Sequence, residues 1–428
     1  MTKLTEQEKN RRSFLKYLAA SPVIGMGATS AFAATGGEML ERPQDPYQWW
    51  PRDPNVLIEK PEDALDVFDF EPVAHKNVPP AHFGFVTSGA DDDGGQRVDR
   101  QDIAKFALRG HRLRDVRKVD TSREIFGQKY ASPFFLCPVG YEDSQHQDGV
   151  LGAMRASGRH NVAQILSTLA SASIGQANKA RNGTPAFFQL YNNANWEITK
   201  AIVQRAEREG APMMALTVDG ASARKETQAE RAKRLDRRIC ATCHDIRNPK
   251  DPKSISTSSR GRGVFSEITD EMWSQKPTPQ PLTWELLKRL RDVTKMEIFV
   301  KGVMHPDDAA MCVKLGYGVY VSNHGGRNED TSASTISALP DIVAAVKGKA
   351  PIFIDSGFRR GMDIVKALAM GATMVGFGRP WLWGLGAFGE AGVDKVIDII
   401  QKEVVAAMQQ VGATSLKELN SSIVYKAL

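Results

Sequence analysis

Several features are missing from this 428-residue chain, and each absence excludes something. Its longest weakly apolar run, 17–30, is broken by Pro22 and several glycines. It falls short of the roughly 20 apolar residues that a membrane-spanning helix needs. No segment recurs at the period of about 20–50 residues that marks a solenoid, and no low-complexity tract is long. Charge is not segregated: 56 basic and 50 acidic residues are interspersed and leave a net +6, which excludes the basic footprint of a nucleic-acid binder. The one basic cluster, 224–238 (RKETQAERAKRLDRR), reads as a solvated helix face or as a surface for anionic partners. Cysteine is scarce, at 4 residues: Cys137 and Cys312 fall in apolar segments and read as core, whereas Cys240 and Cys243 stand in a polar one. With 42% hydrophobic and 25% charged residues, the composition suits one large core or two modest ones.

The N-terminus reads as an address. Asn10-Arg11-Arg12-Ser13-Phe14-Leu15-Lys16 precedes the weak apolar run, and Ala31-Phe32-Ala33 supplies a small-x-small cleavage site. Residues 1–33 therefore resemble a twin-arginine export signal, with Asn10 departing from the usual Ser or Thr. That route carries folded proteins and predicts a periplasmic location for a mature domain spanning 34–428.

Within that domain a rhythm emerges. Apolar runs rich in Val, Ile and Phe recur at 133–139, 162–167, 185–190, 212–218, 297–300, 318–321, 351–354 and 373–377. Segments with apolar residues three and four apart lie between them, at 196–209, 283–291, 306–315, 336–346 and 361–370. Eight strands alternating with helices predict an α/β fold, an eight-stranded parallel β/α (TIM) barrel. The interval 222–280, polar, basic and rich in Ser, Pro and Gly, is far longer than a usual strand–helix connection and reads as a lid-like insertion after the fourth strand.

Barrels of this type hold their reacting groups just past the carboxyl ends of strands. At such a place, after 318–321, stands Ser322-Asn323-His324-Gly325-Gly326-Arg327, which pairs a proton-transferring His with a fixed cation. The plainer reading is a turn whose glycines supply positive φ and whose His is only hydrogen-bonded. Arg359, and the Gly378-Arg379 turn, follow the seventh and eighth strands, where barrels commonly bind phosphate.

Four segments in order, 297–303, 322–330, 352–361 and 376–380, together resemble the FMN-dependent 2-hydroxy-acid oxidoreductases, which include glycolate oxidase, lactate oxidase and the flavocytochrome lactate dehydrogenases. The resemblance runs from about Pro80 to the C-terminus and implies FMN as cofactor. It implies that Ser167, Gln189, Thr217 and Ser322 line the flavin ring, and that Lys301 faces the ring edge that gains negative charge on reduction. Asp355 and Gly357 would meet the ribityl chain or orient the base, while Arg359, Gly378 and Arg379 hold the phosphate. His324 would be the base, Asp219 the partner that stabilises its imidazolium, Arg327 a bidentate anchor for the substrate carboxylate, and Tyr191 a hydroxyl donor to the substrate. A homo-oligomer is also implied.

Two departures from that pattern matter. The family places a tyrosine before a Ser-Gly-Ala-Glu turn, and its phenol helps bind the carboxylate; here Phe85-Val86-Thr87-Ser88-Gly89-Ala90-Asp91 has phenylalanine. The family's second arginine, in a Gly-x-Arg-Glu pattern, aligns with Ala223-Arg224-Lys225-Glu226 only across a short gap. The second departure is an addition: Cys240-Ala241-Thr242-Cys243-His244 matches the attachment pattern of c-type haem. The same residues could instead form a disulfide, a metal clip or incidental thiols.

The sequence thus predicts oxidation of an L-2-hydroxy acid such as L-lactate, with electrons passing through FMN to an extracytoplasmic acceptor such as a cytochrome. The competing expectations are a non-standard hydroxy or amino substrate, motivated by Phe85, and a non-catalytic flavin or haem electron carrier.

Overall fold

The computed structural model describes residues 56–220, 226–237, 263–275, 281–328, 330 and 333–426. Among them, eight strands close into a barrel: β1 (Phe134–Leu136), β2 (Ala163–Ser167), β3 (Phe187–Leu190), β4 (Met213–Thr217), β5 (Glu297–Val303), β6 (Gly318–Val321), β7 (Ile352–Ile354) and β8 (Met374–Phe377). Every neighbouring pair is parallel, and β8 closes onto β1 through Val375–Phe134 and Phe377–Leu136 pairing. Both faces of such strands are covered, which is why they read as continuous apolar runs rather than alternating ones.

The inward faces form one core. Phe135, Ile165, Phe187, Met213, Ala215, Phe299, Tyr320, Phe353 and Met374 fill the barrel. The hairpin Arg123–Ile125/Gln128–Tyr130 closes the end where β3 begins, its Phe126 ring lying 5.6 Å from Phe187 and 5.7 Å from Phe299. The outward faces pack against amphipathic helices; Trp284–Arg291, for instance, buries Leu286, Leu287 and Leu290 and leaves its basic side outward.

One difference from the expected elements has a physical cause. β5 runs to Val303 rather than ending at 300, because Gly302, at φ +111, shifts the register against β6. A side chain at Gly302 would lie 2.7 Å from Asp219 Cβ, so the bulge lets these two strand ends approach. The insertion after β4 contains helices, one of them where the basic segment 224–238 read as a helix face. Thr227–Leu235 lies against Pro80–Thr87 with Ala229 buried, the close approach being possible because Gly84 lacks a side chain. Cys137 and Cys312 are buried free thiols, as their apolar surroundings suggested. The export-signal residues 1–33 and the Cys240, Cys243 and His244 set lie outside the described residues. No helix among the described residues is long and apolar enough to cross a membrane.

Candidate active site

The barrel brings the polar strand-end residues together. Across β2, β3 and β4, Ser167 Oγ donates to Gln189 Oε1 at 3.1 Å and Gln189 Nε2 donates to Thr217 Oγ1 at 2.9 Å. All three side chains are buried, Gln189 paired in register with Ser167 and Thr217 two residues beyond Ala215, the register partner of Gln189, and they form a row of hydroxyl, amide and hydroxyl. Next in the barrel, Lys301 Nζ donates to Ser322 Oγ at 2.9 Å and lies 3.8 Å from Asp219 Oδ2 and 4.0 Å from Asp355 Oδ2. Burial opposes its charge, but the two carboxylates outweigh burial and hold the Lys301 ammonium above its ordinary pKa.

His324 sits in a turn at φ +62, its amide donating to Ser322 Oγ at 3.1 Å. Its Nδ1 lies 2.9 Å from Asp219 Oδ1 and its Nε2 lies 3.2 Å from the Tyr191 hydroxyl. With Nδ1–H directed at a carboxylate, Nε2 is the nitrogen that can accept a proton. Asn328 braces the pair: its amide donates to the Asp219 carbonyl at 2.9 Å and to Oδ1 at 2.7 Å. Nothing but its place four residues past His324 in the same turn could have drawn attention to it.

The turn itself is held from behind. Asn323 Nδ2 donates to the buried Asp99 Oδ1 at 2.8 Å, and its Oδ1 accepts from the Gly326 amide at 3.0 Å. Burial pushes the Asp99 carboxyl up to about 7. After β7, Gly357 at φ +87 passes so close to the helix Gly94–Ala104 that a side chain would lie 2.9 Å from Asp99 Cβ. Only glycine satisfies both demands.

Two arginines are placed differently from expectation. Arg327 Nη1 donates to the carbonyls of Phe85 and Ser88, and Nη2 donates to Glu226 Oε1 at 2.6 Å. Its guanidinium carbon lies 4.7 Å from the Phe85 ring centroid. In this arrangement Nη1 is committed to two carbonyls, and an incoming carboxylate would share Nη2 with Glu226. Arg379, expected at a phosphate, instead directs its guanidinium to the carbonyls of Val86, Ser88 and Gly325 at 2.9–3.0 Å. Its side chain ties the loop after Pro80–Thr87 to the His324 turn. What the Gly378-Arg379 pair leaves for an anion is the N-terminus of the helix Arg379–Val411. Arg359 is buried, donating to the Phe358 carbonyl at 2.9 Å, with its guanidinium carbon 5.3 Å from the Trp383 ring centroid.

This donor set fits FMN. A buried hydroxyl–amide–hydroxyl row beside an ammonium suits the hydrogen-bonding edge of an isoalloxazine, and a buried Arg359 near the helix terminus after β8 suits its phosphate.

The profile of the FMN-dependent dehydrogenase family matches residues 74–426. The chain is similar to a 2-hydroxyacid oxidase of Dictyostelium discoideum, 33% identical over 87% of this chain and 94% of that one. It is similar to an L-lactate oxidase of Lysinibacillus sphaericus, 34% identical over 84% and 92%. An L-lactate dehydrogenase (cytochrome) of Wickerhamomyces anomalus is 31% identical over 84% of this chain and 61% of that one. Among solved structures, a mandelate oxidase superposes with a TM-score of 0.73 at 28% identity, covering 85% of this chain and 99% of that one. With the barrel, the strand-end polar row and the His324–Asp219 pair in place, the chain belongs to the FMN-dependent dehydrogenase family and is an oxidoreductase of its 2-hydroxy-acid-oxidising members.

Proposed function

We propose that the protein oxidises an L-2-hydroxy acid, of the size of L-lactate or larger, to the 2-oxo acid, with His324 as base. The observation that supports this most directly is the continuous set Tyr191–His324–Asp219–Asn328, which leaves Nε2 as the acceptor and holds the other ring nitrogen. FMN supplies the two-electron acceptor. His324 takes a proton from the substrate, Asp219 stabilises the resulting imidazolium, and Tyr191 donates its hydroxyl to the substrate oxygen. Lys301 presents its ammonium where negative charge develops. Mixing the purified protein anaerobically with hydroxy acids tests the reading through loss of flavin absorbance.

Substrate preference follows from the carboxylate site. Phe85 offers Arg327 a ring face and no hydroxyl, so one donor is missing there. Phe85→Tyr is expected to raise kcat/KM for L-lactate by about tenfold, the lower end of what one hydrogen bond to a charged group contributes. An unchanged ratio would show that the missing phenol does not limit small substrates. The Glu226 carboxylate is the second determinant. Glu226→Gln replaces a charged competitor for Nη2 with a weaker neutral acceptor, so KM for L-lactate is expected to fall by about tenfold with kcat nearly constant. A higher KM would instead make Glu226 a brace for Arg327.

The Arg327–Glu226 pair also favours a second reading: a substrate whose head group is not a small carboxylate, such as a hydroxy or amino compound. Titrating the flavin spectrum with neutral hydroxy compounds alongside L-lactate and (S)-mandelate separates the two. Export to the periplasm, and an acceptor there such as a cytochrome, rest on residues 1–33 and on Cys240-Ala241-Thr242-Cys243-His244. A Soret band that survives acid extraction would support covalent haem at those cysteines, and its absence after expression with haem-attachment machinery would remove haem from the proposal.

A further inference from the structure

One polar cluster inside the barrel contains two side chains, Tyr320 and Cys137, that the reaction as described does not use. Tyr320, at the centre of β6, is completely buried, its ring packed 5.6 Å from Phe135 and 6.0 Å from Phe353 between centroids. Its hydroxyl donates to Asp355 Oδ2 at 2.8 Å. Cys137 Sγ lies 3.6 Å from the same oxygen and 3.9 Å from the Tyr320 hydroxyl. Lys301 Nζ is 4.0 Å from that oxygen, 3.8 Å from Asp219 Oδ2 and 5.3 Å from the Tyr320 ring centroid. A phenol, a thiol and an ammonium therefore converge on one carboxylate oxygen in the barrel interior.

Packing does not explain the hydroxyl, since a phenylalanine would fill the same space between Phe135 and Phe353. Charge does. The cluster holds one ammonium and two carboxylates, buried where Coulomb interactions are weakly screened. An ammonium drawn fully onto Asp355 has less positive potential left for the Asp219 side and for a cofactor edge that gains charge. A hydrogen bond from a neutral donor takes up part of the Asp355 charge without adding another ion. Tyr320 meets that need: burial and the adjacent Asp355 carboxylate push its hydroxyl well above its ordinary pKa, so it remains a donor. Burial likewise keeps Cys137 a thiol rather than a third anion.

We propose that Tyr320 is a positioning residue that sets the charge balance beneath the flavin: its hydrogen bond to Asp355 keeps the Lys301 ammonium poised between Asp355, Asp219 and the cofactor, and so raises the flavin midpoint potential. This rests on the FMN reading of the site. The test is the full chain with bound FMN, wild type against Tyr320→Phe, with Cys137→Ala as a control that leaves the phenol–carboxylate bond in place. Tyr320→Phe is expected to bind FMN, to keep its thermal midpoint and to show a lowered midpoint potential in a dye-equilibrated titration. Its flavin-reduction rate at saturating hydroxy acid should fall by about tenfold while KM changes less than about twofold. Cys137→Ala should keep the wild-type potential.

An unchanged or higher potential in Tyr320→Phe would overturn the proposal. So would unfolding or loss of flavin in that variant, which would make the hydroxyl a structural support, or an equal drop in Cys137→Ala. Because the titration uses a chemical reductant, a wild-type protein that no 2-hydroxy acid reduces would remove the proposed substrate while leaving this test intact.

Discussion

Replacing His324 with Asn is expected to lower the anaerobic rate of flavin reduction by about 10²–10⁴-fold, the range that a positioned general base contributes. Asn is the informative choice because His324 sits at φ +62, a left-handed conformation that Asn tolerates better than most residues, so the turn should persist. FMN should remain bound, because the hydrogen-bonded row of Ser167, Gln189 and Thr217 proposed to hold it does not depend on His324. Asp219→Asn should reduce the rate less, since the base survives but loses the carboxylate 2.9 Å away that stabilises its protonated form. A loss smaller than about tenfold in His324→Asn would place the base elsewhere.

Arg100→Leu is expected to destabilise the fold by about 3–5 kcal/mol, the range for breaking a buried ion pair from one side. Arg100 Nη1 lies 2.7 Å from Asp363 Oδ2, with the two side chains only 9% and 2% exposed. It also donates to the Gly357 carbonyl at 2.7 Å. The same Asp363 oxygen accepts the Arg359 and Arg360 amides at 2.9 and 3.0 Å, so one carboxylate organises the turn bearing Asp355, Gly357 and Arg359. Removing the guanidinium leaves a buried carboxylate held by two backbone amides and by the charge of the nearby Lys366. Urea unfolding of the flavin-loaded protein measures the effect, and weaker FMN binding should accompany it. A change below about 1 kcal/mol would mean that the partners left to Asp363 suffice without Arg100.

The eight strands were legible because a parallel barrel buries both strand faces, so each strand is a largely apolar run, and a polar residue near its carboxyl end marks its functional end. Ser167, Gln189, Thr217 and Lys301 are such residues, and the structure places them side by side. The β5 terminus was less legible, since its extra residues depend on a bulge at Gly302 made for Asp219. Arg327 and Arg379 were legible as cations near the site but not in their contacts. Their partners are largely main-chain carbonyls, of Phe85, Val86, Ser88 and Gly325, and a carbonyl leaves no trace in a side-chain pattern. Glu226, Asp99 and Tyr320 were missed for a related reason: each meets its partner across 35 or more positions of chain, joined only when the barrel closes. The helix Thr227–Leu235 falls within 224–238, the basic segment that read as a helix face, but its packing was not legible, because small alanines rather than large apolar residues form its contact face.

Whether this site takes electrons from a 2-hydroxy acid is read directly from the flavin. The protein with bound FMN is mixed without oxygen with L-lactate, with (S)-mandelate and with their opposite enantiomers, while flavin absorbance and 2-oxo acid are followed. The account predicts that at least one L-configured acid bleaches the flavin with one equivalent of 2-oxo acid formed per flavin, and that His324→Asn abolishes the fast phase. A flavin that stays oxidised with all of these acids, yet is readily reduced by dithionite, would contradict it.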